Sequence, residues 1–522
     1  MGGNLFKTIV AIILLAALAF VAGSLAADGA KQALMPIGIL VGLFVLVYLG
    51  KNCWWLVYAA AILTPLLGIS LFQNFPVAYA LSAVLLFYWF IMYVLGQVKI
   101  TWYGLAPLDV ITGVFVVYFM TTWIRHPVYL NVLVDDLLAE GDVMMGGKPY
   151  VWAVAGTLVY IFISIVPIKL QTLIKTLKIL VWLVLPLALL GAVKIYLLGG
   201  GVNEAEGETM GEAISGGRFS AFMGVSSSLY VFLVCKYSLL GIVLSPWKLL
   251  LVLVSLAGMA ISGFRSSLLN AAVITTVLQW LHKRFVVFIM MCLTAYGALL
   301  YLSSEYLLEE LPYGVKRVLS AVPGVEFKDN HAARDAKGSI EWRVEMWKWA
   351  LTPSMGYIKD YVWGDGFGMS AARHRRNISS FNRGVAIGSN RDLADEGMWH
   401  SGPITALHRT GGVGLAIVVL WSLIVSYYTL RLCAALRRIP GREYLYFYLV
   451  PVIASFFLFY ISAGSFEGLF GIFFQVAIMK ATYVLARREG LIKPLFSGNQ
   501  YVPMMHQGNA LVEHPEGALA RE

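Results

Sequence analysis

Apolar residues run along most of the chain in blocks of about 20, the length a helix needs to cross a bilayer, and the polar residues gather between them. The pattern predicts fourteen membrane-spanning helices, at roughly 7–27, 33–50, 54–72, 77–97, 107–124, 149–170, 175–197, 219–235, 247–263, 266–282, 285–303, 411–430, 444–462 and 468–486. The blocks are continuous, not short and alternating, which excludes an outer-membrane barrel. The expected fold class is an all-α polytopic membrane protein with about 14 transmembrane helices.

The connections alternate in charge. One set carries Lys51, Lys99, Lys169 with Lys175, Lys236 with Lys248, His282 to Arg284, and Arg431 to Arg442. The other is neutral or acidic, with Asp135, Asp136, Glu140 and Asp142 in one stretch and Glu204, Glu206, Glu208 and Glu212 in another. Cytoplasmic loops retain Lys and Arg, so both termini are expected in the cytoplasm and the long polar stretch 304–399 outside. Four regions follow: helices 1–11 over 1–303, a large periplasmic loop over 304–399, a segment with the last three helices over 400–487, and a disordered cytoplasmic tail over 488–522.

Composition agrees. Of 522 residues 59% are hydrophobic and 13% charged, about half the charge of a soluble domain, with a mean hydropathy of +0.76. A soluble enzyme, a secreted disulfide scaffold and a disordered chain are excluded. The net charge of +10 reflects the cytoplasmic loops, so no nucleic-acid partner is implied. The four cysteines form no CxxC pair, hence no zinc motif or disulfide framework. Residues 1–27 could pass for a secretion signal; an uncleaved first span is expected, because further spans follow at once.

Several residues could carry chemistry. Arg265 stands in a tight external turn, Ser262-Gly-Phe-Arg265-Ser-Ser267, and a charge at that depth is a functional candidate or an interfacial arginine reaching for lipid phosphate. In the loop, Ile340–Leu351 has helical spacing that puts Trp342, Met346 and Trp349 on one face; Arg343 lies there between Glu341 and Glu345, either carboxylate offering a bland pairing. Gly364-Asp-Gly366-Phe-Gly368 is a glycine-dense turn whose amides could approach an anion, without the context of a P-loop. Arg373, Arg375, Arg376, Arg383 and Arg391 form an acid-free run, and the first three are candidate anion ligands. His400-Ser401, where the loop re-enters the membrane, precedes Gly411 and Gly414, glycines that allow close helix packing. A histidine there can take a proton from a hydroxyl, with Asp395 or Glu396 near enough to orient it; His408 reads as an ordinary interfacial residue. Lys194, Lys480 and Asp109 lie near span ends, where long side chains reach water.

These residues resemble the O-antigen ligase and polymerase superfamily of bacterial envelope glycan transferases. Its ligase motif is His, then Asn, Ser or Gln, nine residues, Gly, two residues, Gly; His400, Ser401, Gly411 and Gly414 fit each fixed position. A second motif, Arg, three residues, Leu, meets Arg343 but finds Trp347 at the last position. Arg265 and the 364–368 turn look like the family's membrane-edge arginine and glycine turn. The resemblance covers about 220–487 and implies a GT-C-like fold in the bacterial inner membrane, with the active site on the periplasmic side. It implies transfer of a glycan from an undecaprenyl diphosphate carrier to an acceptor hydroxyl, on lipid A-core for a ligase or on a growing glycan for a polymerase. His400 would be the base and Arg265 and Arg343 the diphosphate clamp, with no cofactor and no metal. A membrane transporter is the alternative of a different class.

Overall fold

A computed structural model describes residues 49–50, 53–60, 70–71, 75–128, 144–197, 221–261, 265–304, 311, 313–320, 322–325, 327, 331–370, 394, 397, 399–461 and 466–492. The expected spans 7–27, 33–50 and 54–72 lie wholly or mostly outside these residues, as do the tail beyond 492 and Arg373, Arg375, Arg376, Asp395 and Glu396.

The described chain is helical. The main elements are α1 (Val77–Val94), α2 (Ala106–Arg125), α3 (Lys148–Ile165), α4 (Leu170–Leu197), α5 (Ala221–Lys236), α6 (Pro246–Ile261), α7 (Arg265–Leu281), α8 (Phe285–Ser304), α9 (His331–Leu351), α10 (Gly402–Ala435), α11 (Arg442–Ile461) and α12 (Phe473–Arg488). Strands amount to two ladders of two residues each, of which one joins Met144–Met145 antiparallel to Met369–Ser370. Seven of the described helices are long and apolar enough to cross a membrane, and four shorter ones are apolar. Together they fall on the positions of eleven expected spans.

Local chemistry sets the helix ends. Pro149 and Pro403 stand in the first turns of α3 and α10, where a missing N–H costs nothing. Asp109 in the first turn of α2 accepts from the Leu105 N–H at 2.8 Å. Large apolar side chains face outward, among them Phe87 and Phe90 on α1, Val110, Val114 and Val117 on α2, and Val286, Met290 and Leu293 on α8. Of the described α8 residues only Ser303, at its end, is buried. Apolar surface on that scale is stable only against lipid or a partner. Polar groups turn inward and bond between helices: Thr122 to Tyr150, Trp421 to Thr112, Tyr230 to Thr275 and Ser422 to Tyr460. This is the pattern of helix packing in lipid.

The core lies where α2, α3, α10 and α12 meet. Phe115, Phe119, Trp421, Phe470 and Phe473 contact one another there with ring centroids 4.7–6.4 Å apart. Phe367, from the segment after α9, inserts into it against Phe119, Tyr150 and Phe466.

Two expectations change. Lys480 does not reach water: it is fully buried and its Nζ lies 2.6 Å from Asp109 Oδ1. Tyr160 donates to that same oxygen at 2.6 Å, and Nζ sits over the Tyr160 and Trp102 rings. Lys480 is mid-helix in α12, too deep among packed neighbours to extend outward. The second change concerns the helix expected at 411–430, which begins at Gly402 and runs through a break at Gly411 (φ 69°, ψ −178°). Residues Gly402 to Gly414 are thus the first part of α10, and His400 and Ser401 stand immediately before it.

Candidate functional site

The first turns of α10, the middle of α9 and the segment 356–370 form one assembly. α9 turns Met346 and Ala350 fully inward, with Trp342 and Trp349 beside them, the face that the helical spacing predicts. The segment then crosses the break in α10. Gly412 donates its N–H to the Tyr361 carbonyl at 2.8 Å, and Val413 donates to that of Val362 at 3.2 Å. Gly411 provides the break: its φ and ψ lie in a region essentially closed to other residues, and a Cβ there would strike the Val362 carbonyl. Gly364 makes the reciprocal approach at φ 80°, where a Cβ would meet the Thr410 and Gly411 nitrogens. Gly414 packs against Thr410 and the Tyr118 ring.

The turn expected to offer amides to an anion uses them internally. The N–H of Gly364 is donated to Asp360, that of Asp365 to the His408 carbonyl and that of Gly366 to the Arg409 carbonyl, at 2.8–3.0 Å. The Asp365 and Gly366 amides therefore fasten the segment to α10, while Gly368 sits where the chain enters the ladder with Met144–Met145.

Asp365 and His408 complete the fastening. Asp365 takes the Lys359 and Asp360 amides at 2.9 Å each, and His408 Nε2 lies 3.5 Å from its Oδ2. The Trp399 indole donates to His408 Nδ1 at 3.0 Å, so a neutral His408 carries its proton on Nε2, towards Asp365. Burial alone would raise the Asp365 carboxyl, but the bonds from His408, Lys359 and Asp360 outweigh it and hold the group below its usual value. His408 is a structural link, not the bland interfacial residue expected. Its pairing joins positions 43 apart in sequence, which no local pattern reveals.

His400 stands beside this link in the left-handed region, at φ 45°. Its neighbours hold it there. The buried Trp399 gives its carbonyl to the Trp347 indole at 3.0 Å, and Gly402 packs directly on the Phe459 carbonyl. A non-glycine residue fixed in this conformation marks a position that the surroundings over-determine. The half-buried imidazole meets the Trp342 ring edge-on, centroids 5.2 Å apart, and the Arg343 guanidinium lies over that same ring at 5.7 Å. Burial, and then the Arg343 cation, push the His400 imidazole below its ordinary value, so it is neutral near pH 7. Two candidates distant in sequence are thereby brought together, and Trp347, which departs from the family pattern, has a bond that leucine could not make. Ser401 starts α10 without a side-chain capping bond.

Arg265 opens α7, and its side chain lies outside the described residues. Arg437 donates from beyond α10 to the Leu281 carbonyl at 3.5 Å, so the last residues of α7 and α10 meet and Arg265 stands towards the His400 end. By helix rise α7 is about 26 Å long and α10 about 51 Å, which leaves Arg265 well short of His400. Sequence reading missed Arg125, whose guanidinium donates to the Trp363 carbonyl at 2.9 Å and stacks over Tyr118 and Trp363. An arginine closing a span at the end expected to be poor in cations was the available signal. Arg409 similarly donates to the Gly366 carbonyl at 3.1 Å. Among the described residues no three His, Cys, Asp or Glu side chains are grouped to hold a metal ion. No protein-family model matches the chain, and no curated protein matches it.

Proposed function

We propose that this protein is an envelope glycan transferase of the O-antigen ligase type, moving a glycan from undecaprenyl diphosphate to an acceptor hydroxyl at the periplasmic face of the inner membrane. The observation that carries the reading is His400: a neutral, half-buried imidazole held in left-handed backbone at the start of a membrane-length helix, within the field of Arg343.

His400 takes the proton of the acceptor hydroxyl as its oxygen attacks the anomeric carbon. The bond from that carbon to the diphosphate breaks, its electron pair leaves with the undecaprenyl diphosphate, and the anomeric centre inverts. Negative charge growing on the leaving phosphate is met by guanidinium groups, which stay protonated and match phosphate oxygens two at a time. Arg343 supplies this near His400, whereas Arg265, well short of His400 along the bundle, is too far away to hold the same diphosphate. The steps need no metal or cofactor.

Cells carrying His400→Ala at normal protein levels test the reading. Long glycan retained on undecaprenyl diphosphate with bare lipid A-core identifies a ligase; single repeat units on lipid A-core identify a polymerase with the same chemistry. Unchanged surface glycan removes both.

A further inference from the structure

At the opposite end of the bundle from His400, a cavity of about 260 Å³ opens among the ends of α5, α7, α8, α10 and α11. Its charged lining is Lys236, Arg284, Arg437, Arg438 and Arg442, with the His282 imidazole among them, and no carboxylate lines it. Some of this charge is offset locally. Lys236 stacks over Trp182, Phe232 and Tyr237, Arg437 reaches the Leu281 carbonyl, and helix C-termini favour nearby cations. Glu443 stands beside Arg442 in the first turn of α11, and among the described residues it forms no ion pair with the four arginines. Those arginines converge from two stretches of chain, Arg284 from one and Arg437, Arg438 and Arg442 from the other. Arg442, Arg284 and Arg437 act together on the His282 imidazole and, after burial, hold its proton affinity down. Cations brought this close repel one another unless an anion joins them.

The surroundings indicate where the anion comes from. Tyr237 and Ser238 also line the cavity, and the chain continues directly into Leu240, Leu244 and Trp247, which are 50%, 74% and 76% exposed. A basic cavity bordered by an exposed apolar ridge with a tryptophan has the form of a site for a lipid headgroup with its acyl chains alongside. We propose that the cavity binds a phosphate group presented by an anionic phospholipid of the adjoining leaflet. Its volume suits a headgroup and not a larger ligand.

Protein reconstituted in nanodiscs of phosphatidylglycerol or of phosphatidylcholine, then released for native mass spectrometry, tests this. The wild type should retain phosphatidylglycerol and not phosphatidylcholine. Combined Arg284→Gln, Arg437→Gln and Arg442→Gln substitutions should lower retention about tenfold or more, whereas Lys99→Gln, which removes an exposed cation elsewhere, should not. If the combined variant fails to accumulate, the single variants and the weakening of wild-type retention by salt carry the same test. Inorganic phosphate is offered to lipid-stripped protein as a second arm. Thermal protection by phosphate that the arginine substitutions abolish, without retained phospholipid, keeps the phosphate site but makes its source soluble. Equal retention of both lipids, or retention indifferent to the substitutions, with no protection by phosphate, overturns the proposal.

Discussion

Replacing Gly411 by alanine should release the segment 356–370 from α10 and disable the site without preventing insertion. The backbone at φ 69°, ψ −178° costs a non-glycine residue about 1–3 kcal/mol. A Cβ would also run into the Val362 carbonyl and Trp363 nitrogen, so residues 361–363 must move. That breaks the bonds from Gly412 to Tyr361 and from Val413 to Val362, each worth about 0.5–1.5 kcal/mol. The total is about 2–6 kcal/mol, enough to leave the segment detached most of the time. Gly412→Ala is the control, because a Cβ there meets the Tyr361 carbonyl at 3.4 Å, an ordinary contact. Limited proteolysis and thermal unfolding of purified protein should show Gly411→Ala cut between α9 and α10 and unfolding earlier, with glycan transfer down by about tenfold or more, and Gly412→Ala close to wild type. If the two variants behave alike, the crossing at Gly411 does not hold the site together.

Other predictions follow from the same geometry. Arg343→Gln removes a cation that holds the His400 imidazole down, so the acid limb of the activity profile, where the base is lost by protonation, should move to higher pH. An unmoved limb with reduced turnover would restrict Arg343 to binding the diphosphate. Lys480→Met leaves the Asp109 carboxylate, still bonded to Tyr160 and the Leu105 amide, without its cation and should cost about 1–3 kcal/mol, read as a lower unfolding temperature in detergent; adding Asp109→Asn should restore most of it, and no recovery would mean the pair is not coupled as its 2.6 Å separation implies. Asp365→Asn weakens the bond to His408 and the two amide bonds of the turn, so proteolysis within 356–370 should rise while α10 remains intact; unchanged protection would show that the glycine contacts suffice.

Much of the fold was legible because lipid imposes a simple code. Twenty apolar residues make a helix whatever their order, so the described helices fall where blocks such as 107–124 and 285–303 predict them. The inward face of α9 was legible for a similar reason: Trp342, Met346 and Trp349 repeat at helical spacing. Lys480 was misread because hydropathy records depth along a span and not which face a residue takes; only the meeting of α12 with α2 and α3 decides that it finds Asp109 and Tyr160. The start of α10 was misplaced because the continuous apolar block begins only near Gly411, whereas the chain is helical on both sides of a single irregular residue and the more polar turns before it belong to the same helix. His400 was visible from its motif, but its left-handed backbone and its nearness to Arg343 depend on Trp347 and Trp399, which are 52 residues apart. The Asp365–His408 link and the stacking of Arg125 are likewise contacts across long separations, which periodicity cannot show.

The pH dependence of transfer by purified wild type and His400→Ala, with lipid-linked donor and acceptor supplied, tests the central claim most directly. Wild-type turnover should fall as pH drops through the His400 value, which lies below an ordinary imidazole. His400→Ala should lose about 10²–10⁴-fold, bind the donor as before and show no such acid limb. A variant that keeps both its turnover and the acid limb would contradict the assignment of His400 as the base.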